Sequence, residues 1–236
     1  MNLWAGLKPA PTFCGMETQS RIGTDESGKG DYFGPLVVAA VWVDAQMAEL
    51  LAGGGVRDSK KVSDSRAAQL ARDIKGSAPH AVVVIGPEKY NELYEKIRNL
   101  NKLLAWAHAR VIENLLEKVS CDTVVADKFG DERLIQNALM QKGRQVKLIQ
   151  QVRAESDIAV AAASILARAE FLRRLADLSE KIGIDLPKGA SSQVDEAGVR
   201  VLRSGGEQVL GTVAKLHFKN TQKVRALVSG QVGRNP

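Results

Sequence analysis

Gly23-Thr24-Asp25-Glu26-Ser27-Gly28-Lys29-Gly30-Asp31 is the densest stretch of chemistry-bearing residues in this 236-residue chain, and the fold turns on how it is read. Gly23 to Lys29 satisfies the G-x-x-x-x-G-K pattern of a phosphate-cradling loop. Position 30 is Gly, however, where such a loop needs a magnesium-binding hydroxyl, and Asp25 and Glu26 would set two negative charges against the phosphates. The segment reads instead as a strand that carries adjacent carboxylates into a Gly-rich turn. Alternation sends the two acids to opposite faces of a regular strand, and the glycines let the backbone turn and approach a ligand closely. Paired carboxylates at a strand end suit a hard divalent cation. Mg²⁺ takes one or two carboxylates per ion, so a two-ion site needs about four acids, and two must come from elsewhere.

Working outward, Leu36 to Val43 (LVVAAVWV), Ala81 to Ile85 (AVVVI) and Thr123 to Ala126 (TVVA) are apolar runs with the length of buried strands, and Val146 to Ile149 is a weaker fourth. Helical spacing appears at Ser65 to Ile74 and at Leu100 to Val119, where Leu100, Leu103, Leu104, Ala107, Val111, Leu115 and Val119 recur at steps of three and four. Ile158 to Ile182 begins almost wholly apolar and turns amphipathic after Arg168, as a central helix would. Beyond Pro187 and Gly189, helices are expected around Glu196 to Arg203 and Gln222 to Val228, with Gly205 and Gly206 between them. The pattern predicts an α/β fold: a mixed sheet flanked by helices, with a helical C-terminal portion.

Two further acids sit where such a sheet collects its sites. Asp127 directly follows the TVVA strand, and Asp157 opens the apolar helix at Ile158. Each also has a structural reading, Asp127 as a turn residue before Phe129-Gly130 and Asp157 as a helix cap. His108, on the Leu100 to Val119 helix, reads as a packed or solvated residue because no partner motif accompanies it. Trp42 and Trp106 read as packing residues.

Hydrophobic residues at 44% and charged residues at 25% place the chain among ordinary globular proteins. Cys14 and Cys121 offer no disulfide framework and no paired-cysteine metal spacing, which points to a reducing, cytoplasmic home. No run approaches a membrane span. The formal charge is +6, and Lys188 to Pro236 holds eight Lys and Arg against three acids, a net +5. A basic C-terminal lobe, about residues 185–236, suits phosphate-backbone binding, although a solvated charged face gives the same pattern. Residues 1–20 read as a tail outside the fold, or as an upstream extension of a chain starting at Met16, and residues 21–236 as one catalytic domain.

Four ordered blocks resemble one family: GTDESGKGDYFGPL (23–36), DSKK (58–61), AESDIAVAAASILAR (154–168), and LPKGA with AKLHFKNTQK (186–190 and 214–223). They are similar to ribonuclease HIII, within the wider type-2 ribonuclease H group, over about residues 21–228. The resemblance implies a ribonuclease H-like fold with a five-stranded mixed sheet. It also implies endonucleolytic cleavage of the RNA strand of RNA/DNA hybrids by two ions of Mg²⁺ or Mn²⁺, leaving 5′-phosphate and 3′-hydroxyl ends. The acidic quartet then falls on Asp25, Glu26, Asp127 and Asp157. The backbone at Gly28-Lys29-Gly30 would contact ribose 2′-hydroxyls, and Lys29 and Lys60 would contact phosphates. The enzyme is expected to be a monomer.

Only 24 residues precede Asp25, too few for the N-terminal substrate-binding domain usual in ribonuclease HIII, so weaker and more salt-sensitive hybrid binding is expected. No tyrosine follows Tyr94, whereas the type-2 enzymes read a ribonucleotide-to-DNA junction with a C-terminal one; poor incision at single ribonucleotides follows. The alternatives are a type-2-like enzyme that does incise there, a non-catalytic hybrid-binding module and a nuclease acting on DNA junctions.

Overall fold

The computed structural model describes residues 20–56, 62–127, 133–152 and 154–230. Five strands form one sheet in the order β3-β2-β1-β4-β5. They are β1 (Arg21–Ser27), β2 (Leu36–Val43), β3 (His80–Ile85), β4 (Thr123–Asp127) and β5 (Lys147–Gln151). β2 pairs antiparallel with both β1 and β3, while β1, β4 and β5 run parallel. The expected five-stranded mixed sheet is therefore present. It is built from the four apolar runs together with the strand that carries the acids.

β2 has no polar alternation because both its faces are covered. Val37, Ala39, Val41 and Val43 join one apolar cluster, and Leu36, Val38 and Ala40 join the other. On the first side lie α1 (Ala45–Gly53), α2 (Asp64–Ser77) and α6 (Ile158–Ile182). On the second lie α3 (Pro87–Ile97), α4 (Leu100–Leu116) and α5 (Arg133–Ala138).

α6 is the central helix. Its first two turns are alanine-rich and buried, and the small side chains let it settle onto β1. The approach is close enough that a Cβ on Gly23 would lie 2.1 Å from the carbonyl carbon of Ala159. Only glycine fits there.

The C-terminal portion is helical, as expected, but it is divided differently. α7 (Ser192–Val213) is two helical stretches meeting at a kink at Gly206, whose φ of 68° is non-helical, as the glycine pair suggested, and the stretch after the kink was not expected; α8 (Lys219–Val228) follows. Val194, Ala197, Val201, Leu210 and Val213 of α7 share the α6-side cluster, so this portion packs into the same core as the sheet.

The turn after β1 is the seam between the sheet and that portion. Tyr32 N donates to Gly189 O at 2.9 Å, Gly34 N to Val213 O at 2.9 Å, and Lys215 N to Tyr32 O at 2.8 Å. Gly189 N donates to the Asp31 carboxylate at 2.7 Å. Lys215 is wholly buried and its ammonium donates to the carbonyls of Asp31, Phe33 and Gly34 at 2.7, 3.3 and 2.7 Å. Burial drives its pKa down to about 7, while three carbonyl acceptors match the three donors of the charged form.

Candidate active site

Parallel pairing sets Thr24 opposite Ala126, so the next residues, Asp25 and Asp127, leave the C-terminal ends of neighbouring strands side by side. Together with Glu26, Glu155, Ser164, Arg168 and the turn Ser27–Gly30 they line a cleft of about 550 Å³. Open α/β sheets place their sites at this end of the strands.

Asp25 and Glu26 are adjacent but occupy opposite faces, as strand alternation requires. Asp25 faces α6. Its carboxylate accepts from Glu26 N at 2.8 Å and from the Ser164 hydroxyl. Burial, and then the charge of Glu26, outweigh those hydrogen bonds and push its pKa up to about 6. Glu26 faces α4. Burial opposes its ionisation too, but the hydrogen bond and charge of His108, followed by the Lys29 ammonium, hold it at about 2. The contacts are His108 Nε2 to Glu26 Oε2 at 3.1 Å and Lys29 Nζ to Glu26 Oε1 at 3.2 Å. Asp127 accepts from Ala154 N at 3.3 Å, which ties the end of β4 to the chain leading into α6.

Asp157, expected to complete the quartet, is not among the residues that line this cleft. Its Oδ1 caps α6 by accepting from Ala159 N at 2.8 Å and Val160 N at 3.4 Å. Its Oδ2 is paired with Arg21 Nε at 2.5 Å, at the opposite end of β1 from Asp25. Arg21 and Asp25 are four steps apart along the strand, roughly 13 Å at the usual strand rise. The acid that does reach the cleft is Glu155, in a 3-10 turn (Ala154–Ser156) two residues earlier.

Of the remaining expected residues, Gly28 is buried with φ +86°, and a Cβ there would come within 2.1 Å of Pro35 O, so the turn demands glycine. Gly30 is exposed with open space around it, leaving its backbone accessible. Lys60 lies outside the described residues. Sequence reasoning did not single out Glu155, Ser164 or Arg168, and it read His108 as a packed or solvated residue. Ser164 and Arg168 carried a usable signal: they are polar residues four apart on an otherwise apolar helix, and therefore on one face.

The donor set is all oxygen at the rim, which fits a hard divalent cation rather than a thiophilic one. The elevated Asp25 carboxyl fits as well, because a cation beside it would offset both its burial and the repulsion from Glu26. Among the described residues, no three Asp, Glu, His or Cys side chains are drawn together as a ready-made cage.

A five-stranded sheet in this order, with acids at the ends of its adjacent parallel strands, defines a ribonuclease H-like fold. The family model for Ribonuclease HII matches residues 22–221. The chain is 48% identical to Ribonuclease HIII of Protochlamydia amoebophila over 213 residues, covering 90% of this chain and 69% of that protein. It is 44% identical to Ribonuclease HIII of Chlamydia felis over 211 residues, 88% of this chain and 70% of that protein. The crystal structure of Bst-RNase HIII in complex with Mn²⁺ superposes with a TM-score of 0.85 at 38% identity, covering 91% of this chain and 72% of that one. The chain therefore belongs to the ribonuclease HIII group of the ribonuclease HII family and is a ribonuclease H enzyme. Among the described residues, no helix is long and apolar enough to cross a membrane.

Proposed function

We propose that the chain is an endonuclease that hydrolyses the RNA strand of RNA/DNA hybrids, using two divalent cations held by Asp25, Glu26, Asp127 and Glu155. The carrying observation is that Asp25 and Asp127 sit side by side at the ends of neighbouring strands, with Glu26 and Glu155 on the same cleft. Mg²⁺ and Mn²⁺ both suit these donors, and a relative's structure with Mn²⁺ supports the class of ion. When bound, the ions supply Lewis-acid charge that activates the attacking water and offsets charge on the departing 3′-oxygen, giving 5′-phosphate and 3′-hydroxyl ends.

The chain's own residues do the placing. Ser164 and the Glu26 amide orient the Asp25 carboxylate, and the Ala154 amide orients Asp127. The Gly28–Gly30 turn offers its backbone to ribose 2′-hydroxyls, which distinguish RNA from DNA. Its accessibility at Gly30 supports that role. Lys29 and Lys60 contribute phosphate contact, and the basic C-terminal lobe adds salt-sensitive affinity. In this reading the enzyme acts as a cytoplasmic monomer and incises single ribonucleotides poorly.

The test is cleavage of a labelled hybrid with and without Mg²⁺ or Mn²⁺, beside duplex DNA, a four-way junction and a duplex with one ribonucleotide. Metal-dependent cleavage of the hybrid alone, lost in Asp127→Asn, is expected. Hybrid binding without cleavage would establish the binding-module alternative instead.

A further inference from the structure

His108 is wholly buried on α4, yet both of its ring nitrogens are spent on one strand. Nδ1 lies 3.0 Å from Thr24 Oγ1 and Nε2 lies 3.1 Å from Glu26 Oε2. Thr24 and Glu26 are two residues apart, so they share the β1 face that α4 covers. An imidazole placed only to fill space among Ile22, Leu104 and Ile112 would carry a desolvation cost that a leucine avoids. Here that cost is met by two hydrogen bonds, and one of them ends on a carboxylate of the cleft.

The chemistry of the pair fixes the direction of the bond. Glu26 is ionised at neutral pH and accepts only, so Nε2 carries a proton and donates, while Nδ1 shares a hydrogen bond with the Thr24 hydroxyl. The second oxygen of Glu26 meets Lys29, whose side chain is 38% exposed, whereas that of His108 is 0% exposed. A buried ring held at both nitrogens constrains an orientation far better than a long surface ammonium does. Only Oε2 is held by the ring. The rotation of the carboxylate is therefore set from behind by α4, on the face away from Asp25.

We propose that His108 is a positioning residue that presents the Glu26 carboxylate to a divalent cation. The inference rests on the reading of Glu26 as a cation ligand, and the test separates the two. Outer groups that orient metal ligands are typically worth about 10–100-fold in metal affinity, so an effect of that size is expected here.

The experiment is a Mn²⁺ titration of the full chain, followed by electron paramagnetic resonance without substrate and paired with thermal melts. His108→Gln and His108→Asn carry the same amide but differ in reach: the Gln nitrogen falls near Nε2 and addresses Glu26, whereas the Asn nitrogen falls near Nδ1 and addresses Thr24. Gln is expected to bind Mn²⁺ within a few-fold of the parent, and Asn about 10–100-fold more weakly. His108→Leu should match Asn where it folds. Equal affinities for folded Gln and Asn variants would overturn the proposal, as would parental affinity in a folded Leu variant. Glu26→Gln is the control for the underlying reading. Undiminished Mn²⁺ binding there removes Glu26 as a ligand, whereas a loss there beside parental binding in His108→Asn removes the positioning role alone.

Discussion

β1 and α6 meet along their length, and the two ends of the pair do different work. At the Arg21 end, Asp157 caps α6 and pairs with Arg21, so both its oxygens serve the fold. At the other end the same strand and helix supply Asp25, Ser164 and Arg168 to the cleft, with Glu155 reaching it from the turn before α6. An acid's proximity in sequence to a site is thus a poor guide to its role. What separates Glu155 from Asp157 is which way the chain points as it enters the helix.

The largest test of that division is catalytic. Asp25→Asn, Asp127→Asn and Glu155→Gln should each lower kcat by about 10²–10³-fold or more, the scale of losing one preorganised charge-stabilising group. Asp157→Asn should stay within a few-fold of the parent. Single-turnover rates on a labelled hybrid measure all four, and a collapse in Asp157→Asn with a mild Glu155→Gln would reverse the assignment.

Acid should act on the cleft end next. With Asp25 raised to about 6, a proton competes there with the cation, so kcat/KM should fall about tenfold per unit as pH drops below about 6. The stability consequence has the opposite sign. Between the ordinary value of 3.8 and about 6 the native state binds the extra proton, so stability contributed by that proton is lost as pH rises through this window. Glu26 is depressed from 4.5 to about 2, so its contribution is present above the unfolded value and lost as pH falls toward 2. Denaturant melts of Asp25→Asn against parent at pH 4.5 and 7 check the first; the variant should gain on the parent only at the higher pH.

The Arg21 end should answer in stability rather than in rate. Asp157→Ala removes a helix cap and a largely buried ion pair, and about 1–3 kcal/mol of unfolding free energy should go with them. Urea melts measure it, with hybrid cleavage by the folded fraction close to parental.

Much of this was legible in the sequence where local chemistry and tertiary role agree. The apolar runs became strands because strands buried on both faces must be apolar throughout, and the reading of Ile158 to Ile182 matches α6 to the residue. Asp25, Glu26 and Asp127 line the cleft because the strands that carry them end there, a placement the apolar runs before them made legible even though Asp127 also read as a turn residue. Asp157 had a structural use, as a cap, and capping consumes the oxygens that a metal would need. α1, α3 and α5 were not anticipated. α1 and α5 are short, and α3 is polar enough that its stripe, buried at Tyr90, stands out only beside the structure. His108 was hidden for another reason: its partners lie 82 and 84 residues away, and no spacing rule spans that gap.

The smallest expected effect lies at the tip of the cleft end, where Gly28 and Gly30 differ although both belong to the same turn. Alanine at Gly28 meets Pro35 O and a positive φ, so it should disrupt the turn itself. Alanine at Gly30 meets nothing, and stability should change by no more than about 0.5 kcal/mol, as for ordinary surface substitutions. If the Gly30 backbone approaches the ribose, even one methyl group stands in the way; Gly30→Ala should then raise KM for the hybrid with kcat nearly unchanged, the signature of lost uniform binding. An unchanged KM in this well-folded variant would move the 2′-hydroxyl contact off Gly30 and onto the rest of the turn.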